Sequence, residues 1–180
     1  GTKPALTSFE EKNHKTGAMI SAVDLLKGIA VGTDMKVIEV PGANGTLNTN
    51  YEGKAKAALE VLLKDNYDFV YIHVEAPDEM GHQGSITNKI KSIEYLDQRV
   101  IKPVMEGMEK SGEEYRMLIM PDHPTPIHCR THTDDPVPYL LYDSGINKES
   151  HYLYNEVDAK KSGNVILKGH TIINRLFNNK

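Results

Sequence analysis

The sequence predicts an α/β fold, a mainly parallel sheet with helices on both faces. Three observations predict it. Short apolar runs alternate with helical patterns through most of the 180 residues, the order that builds strand–helix–strand units. Two of the runs, Phe69-Val70-Tyr71-Ile72 and Met117-Leu118-Ile119-Met120, are apolar or aromatic throughout, as strands buried on both faces are. Each is followed by an Asp/His cluster, Asp78 with His82 and Asp122 with His123. In open α/β sheets ligands collect there, outside the carboxyl ends of the strands.

Taken in order, residues 1–14 are polar and are expected to be a peripheral N-terminal segment, ahead of one domain over 15–180. Ala18 to Ser21 is a short strand. Val23, Leu25, Leu26 and Ile29 give a helical pattern that Gly32 ends. Lys36 to Val40 is a second strand, and Pro41 to Asn50, rich in Gly, Asn and Thr, is a loop. Tyr51 to Lys64 is a helix, broken at Asn66 before the strand at Phe69. Asn88 to Glu109 is the longest helix, with Ile90, Ile93, Leu96, Val100, Val104 and Met108 on one stripe and Pro103 expected to kink or split it. The strand at Met117 comes next, then a His-rich loop. Val137 to Tyr142 follows as an extended segment, with Pro136 and Pro138 suiting an edge. A helix around His170 to Phe177 closes the chain.

Composition bounds the function. The net charge of −4 gives no reason to expect nucleic acid or an anionic membrane as partner. No apolar run approaches the roughly 18–20 residues of a membrane span. The single cysteine, Cys129, rules out an internal disulfide and fits a reducing cytoplasm. The Gly42-Ala43-Asn44-Gly45-Thr46 loop is no phosphate loop, because no Gly-Lys-Ser/Thr follows.

The chemistry concentrates between His73 and His132. Asp78 and His82, four residues apart at a helix start, can reach one cation. Asp122 and His123 are adjacent, and adjacent side chains on extended backbone point apart. They therefore bind one ion while the first cluster holds another, or bridge two neighbouring ions. His132 lies close behind, and His128 is a neighbour able to orient a ligand from outside. His73, inside its strand, reads as a satisfied core histidine, and Cys129 as a small buried apolar residue. His14, His151 and His170 read as surface residues. Imidazole and carboxylate without thiolate suit Zn²⁺, Mn²⁺ or a related divalent ion. Two such ions would clamp the oxygens of a phosphoryl or ester transfer.

Several segments carry a resemblance. They are Ile20-Ser21-Ala22-Val23-Asp24-Leu25-Leu26-Lys27-Gly28-Ile29-Ala30, Val40-Pro41-Gly42-Ala43 onward to Thr49-Asn50-Tyr51-Glu52-Gly53-Lys54-Ala55, and Ala76-Pro77-Asp78-Glu79-Met80-Gly81-His82. Pro121-Asp122-His123 and His132-Thr133-Asp134-Asp135-Pro136-Val137-Pro138 complete the set. In these residues the chain resembles the alkaline phosphatase superfamily, and more closely the cofactor-independent phosphoglycerate mutases of archaeal type. The resemblance implies an alkaline-phosphatase-like fold and transfer of phosphate between the 3- and 2-hydroxyls of glycerate through a phosphoserine. It implies two divalent ions (Mn²⁺, Zn²⁺ or Mg²⁺), one held by Asp78, His82 and His132 and the other partly by Asp122 and His123. Lys15 resembles a substrate-binding lysine of the wider mutase family.

The family's nucleophilic Ser, and a further Asp on the second ion, belong to a segment that nothing before Lys15 resembles. The chain therefore reads as the C-terminal half of the catalytic domain. It carries no catalytic nucleophile of its own, and its expected partners are the N-terminal half and a small phosphorylated substrate. Ser85 reads as a helix cap before Asn88. A homoserine kinase-like phosphotransferase would carry the same motifs. A metal-binding or assembly module without turnover is the reading from a different class, and self-association of the isolated chain is expected.

Overall fold

The computed structural model describes residues 5–146 and 150–177. Five strands and eight α-helices are found among them. The strands β1 (Gly17–Ile20), β2 (Lys36–Val37) and β3 (Phe69–Ile72) form a parallel sheet in the order β2-β1-β3. Gly17 to Ile20 lie opposite Phe69 to Ile72. Beyond β2 the second predicted strand leaves the ladder early, although Ile38 N still donates to Met19 O. A separate antiparallel pair joins β4 (Arg116–Ile119) to β5 (Leu140–Asp143), with Ile119 opposite Leu140.

Helices cover both faces of the parallel sheet. The side chain of Met19 packs with α2 (Asp24–Gly32) through Ala30 and Leu26, and with Phe9 of the short α1 (Phe9–Asn13). The next residue points the other way, as strand geometry requires. Ile20 packs with Tyr51, Ala55 and Ala58 of α3 (Tyr51–Leu63) and with Val104 and Met108 of α6 (Lys102–Ser111). Burying an Ile side chain this completely stabilises the fold by about 1.5–3 kcal/mol. The polar N-terminal segment contains one anchor. Phe9 stacks on Phe69 at 5.2 Å, and its backbone N–H donates to Thr33 O.

Between β3 and β4 the chain forms α4 (Ala76–His82), α5 (Ile86–Leu96), a π-helical turn (Asp97–Ile101) and α6. Pro77 in the first turn starts α4 with a preset φ. Gly84, at φ +70°, ends the connection, and Ser85 Oγ accepts from Asn88 N, so Ser85 is the helix cap that the sequence predicts. The long helix expected over this stretch is divided into α5, the π turn and α6, and Pro103 marks the last boundary. It sits in the first turn of α6, and the π turn just ahead takes up the misfit between its ring and the preceding turn. Two further helices, α7 (Glu156–Ser162) and α8 (Ile172–Leu176), follow β5. No helix of the described residues is long and apolar enough to cross a membrane.

Candidate metal centre

The carboxyl ends of β3 and β4 deliver two loops to one place. After β3 the chain passes through His73-Val74-Glu75 into α4. Asp78 in the first turn and His82 in the last are four residues apart, so they share a helix face. After β4 the chain enters the loop that carries Asp122, His123, Thr125 and His132, which is closed by Thr133 N donating to Pro124 O.

Asp78, His82 and His132 converge. His82 Nε2 lies 3.3 Å from Asp78 Oδ2, His132 Nε2 lies 3.3 Å from Asp78 Oδ1, and the two Nε2 atoms are 3.1 Å apart. The side chains keep 29, 35 and 52 % of their exposure for Asp78, His82 and His132, so small ions and water can enter. His82 Nδ1 is 3.0 Å from Arg130 O. A carbonyl only accepts, so Nδ1 carries the proton and neutral His82 presents the Nε2 lone pair to the cluster. A carboxylate and an imidazole lone pair facing each other repel unless a proton or cation lies between them. Ligand atoms about 2.0–2.1 Å from a tetrahedral Zn²⁺ stand about 3.3 Å apart. The donor set and its spacing therefore fit one divalent ion.

Asp122 and His123 lie alongside. The loop bends there, and the two side chains approach each other rather than diverge, with His123 Nε2 3.5 Å from Asp122 Oδ2. That corrects the expectation drawn from extended backbone. His123 Nδ1 is 4.0 Å from Asp78 Oδ1, and its ring lies 3.7 Å from that of His132. The pair thus borders the triad without entering it.

Three side chains that the sequence did not single out shape the site. Thr125 is buried, and its hydroxyl donates to Asp78 Oδ1. Lys89 Nζ donates to Thr125 O at 2.6 Å. Burial pushes its ammonium below the ordinary lysine range, while Asp78 and Glu156 pull it back up. Lys54, fully buried in α3, donates to His73 O at 2.7 Å. Burial lowers its pKa too, and Glu75 opposes that. Glu75 itself is pushed up, first by burial and then by its acidic neighbours Glu79 and Asp78. Lys54 was legible as a charge on the otherwise apolar stripe of Tyr51, Ala55 and Ala58. Thr125 gave no signal.

Other predicted residues fall elsewhere. Lys15 precedes β1 at the amino edge of the sheet, opposite the cluster, with Nζ 5.8 Å from the Phe177 ring centre. That placement does not support a substrate-binding role for it. His128 is exposed, and no hydrogen bond or ion pair among the described residues joins it to the triad. Cys129 is exposed rather than buried, since its turn lies at the surface. His14, His151 and His170 are exposed, as expected. Ser21 Oγ lies 3.4 Å from His73 Nδ1, but it is buried and accepts from Val23 N, the arrangement of a turn cap and not of an open nucleophile.

Comparison with known proteins agrees with this chemistry. Residues 2–178 match the family model of the metalloenzyme superfamily. The chain is 47% identical over 177 residues to a 2,3-bisphosphoglycerate-independent phosphoglycerate mutase of Methanothrix thermoacetophila, and 48% identical over 181 residues to one of Methanosarcina barkeri. These alignments cover 98% and 100% of this chain but 45% of each relative, so the chain spans under half their length. Among solved structures, the PH0037 protein from Pyrococcus horikoshii superposes with a TM-score of 0.87 at 32% identity, covering 100% of this chain and 54% of that one. The cofactor-independent phosphoglycerate mutase of Thermoplasma acidophilum superposes with a TM-score of 0.67 at 24% identity, a likeness of fold.

Proposed function

This chain belongs to the metalloenzyme superfamily, and on that premise we propose that Asp78, His82 and His132 bind a divalent cation used in phosphoryl transfer. The observation that carries the reading is the convergence of one ligand atom each from Asp78, His82 and His132, all within 4.8 Å of one another. Asp122 and His123 belong, in this reading, to a neighbouring second ion whose remaining ligands come from outside the chain. Such ions, Mn²⁺, Zn²⁺ or Mg²⁺, polarise the phosphoryl oxygens and offset their charge when bound. The chain's own residues supply the framework. Arg130 O fixes the His82 tautomer, and Thr125 orients Asp78.

The names of the relatives support a mutase that interconverts 3- and 2-phosphoglycerate. The protein containing this chain would act in the cytoplasm on that small phosphorylated substrate. A serine oxygen from the other half would attack phosphorus, the bond to the donor hydroxyl oxygen would break, and the phosphoserine would return phosphate to the other hydroxyl. Among the described residues no serine stands open beside the triad, so the nucleophile is assigned to that other half.

Calorimetric titration with Mn²⁺ tests the metal site. Partners of ligands alone are worth about 10–100-fold in affinity, so Asp78→Ala, which removes a ligand and its charge, is expected to lose at least that much. Equal affinity in the two proteins would sink the reading.

A further inference from the structure

Besides the contacts within the triad itself, three hydrogen bonds tie the loop after β4 to the α4–α5 hairpin. His82 Nδ1 donates to Arg130 O, Thr125 Oγ1 donates to Asp78 Oδ1, and Lys89 Nζ donates to Thr125 O. The first two engage proposed ligands themselves, so they change whenever a ligand is protonated or an ion is exchanged. The third starts on α5, from a side chain that contacts no ion in the proposed site.

Its path is built into the helix below it. A Cβ at position 81 would lie 2.5 Å from Thr125 O and 2.8 Å from Lys89 Nζ. Only a glycine lets the lysine and the loop carbonyl meet over α4. One turn earlier, Asp78 receives the Thr125 hydroxyl. Lys89, Thr125 and Asp78 thus form a relay from α5 to the cluster, and the same loop carries His123 and His132.

We propose that Lys89 is a positioning residue of the metal centre, bracing Thr125 so that the loop holds His132 against Asp78. The proposal rests on the metal reading above, yet it makes a prediction of opposite sign to simple electrostatics. An ammonium close to a cation site repels the cation, so charge alone predicts that Lys89→Met binds Mn²⁺ more tightly. A brace predicts the reverse, about 10–100-fold weaker binding, the range for groups that orient ligands. Lys89→Arg, which keeps both charge and donor, is expected to recover most of the loss.

The test pairs two measurements on the 180-residue chain. Calorimetry with Mn²⁺ compares wild type, Lys89→Met and Lys89→Arg. Amide hydrogen exchange in chelator follows residues 123–133 in the same proteins, with β1 as the internal reference. Weaker binding and faster exchange confined to the loop in Lys89→Met, both reversed in Lys89→Arg, support the brace. Equal or tighter binding in Lys89→Met overturns it. If wild type binds no Mn²⁺, the metal reading fails and exchange alone decides: faster loop exchange keeps the brace and unchanged exchange removes it. If Lys89→Met does not fold, Lys89→Gln, whose amide is too short to reach Thr125 O, replaces it under the same criteria.

Discussion

His73 follows β3, and its ring is held between Ser21, 3.4 Å from Nδ1, and the stacked ring of Tyr71. Burial holds its pKa below the ordinary histidine value, Asp122 and Asp78 act against that, and Lys54 and His123 add to it. As pH falls through about 6.5 the unfolded chain takes up a proton at this residue before the folded chain does. The folded state therefore loses stability across the window from the unfolded pKa down to the depressed folded one. Urea denaturation at pH 7.5 and 5.5, in chelator, is expected to show a larger acid loss in wild type than in His73→Gln. Identical losses would mean that burial of this imidazole costs nothing. The reading of His73 as a core residue came from its place in an apolar run, and the sequence carried that much. It carried the charge of Lys54 on the apolar stripe of α3 but not the partner that allows its burial, since His73 O lies nineteen residues away.

At the scale of elements, α4 and the loop after β4 form one packing unit, and Gly81 sets their spacing. Gly81→Ala would drive a methyl into the Thr125 carbonyl, a backbone atom with little room to yield. Overpacking of this kind costs typically about 1–3 kcal/mol, so thermal denaturation should register a loss of that order. Mn²⁺ affinity should fall with it, because the displaced loop carries His132; an alanine variant as stable as wild type would show that the loop can give way freely. The same region separates what was legible from what was not. The strands at Met19, Phe69 and Met117 announced themselves by unbroken apolar runs, and α3 by its stripe. The π turn was illegible, because it changes the helix phase without changing composition. With that change, Val100, Val104 and Met108 reach the core while Ile90 and Ile93, expected on the same stripe, stay exposed. The Asp78–His82 pair was legible as a spacing of four. The approach of His132 depends on a loop closure that no local pattern encodes.

Across the whole molecule the strands differ in a way their sequences do not. β1 is buried at all four positions, whereas β3 and β4, apolar apart from Arg116, are only partly covered. Among the described residues β3 pairs with β1 alone and β4 with β5 alone, so each presents one edge on which another strand can pair. Ile86, Ile90 and Ile93 add an exposed apolar stripe on α5, and Leu25, Ile29 and Val31 are exposed on α2. Exposed apolar patches beyond a few hundred Å² are uncommon on stable monomers. The relatives are more than twice as long as the part this chain matches, and in our reading the rest of the longer protein covers these surfaces. For the 180 residues alone we expect self-association, driven by strand edges and by the α5 stripe. Light scattering across a concentration series should give a mass that rises with concentration, with accelerated binding of a dye that reports apolar surface. Ile86→Ser combined with Ile90→Ser and Ile93→Ser should reduce the association without altering β1 exchange, because these side chains point to water and not to the core. A clean monomer at high concentration, with no dye bound, would instead mean that the half-covered strands of β3 and β4 need no partner and that this part of the fold is an autonomous unit.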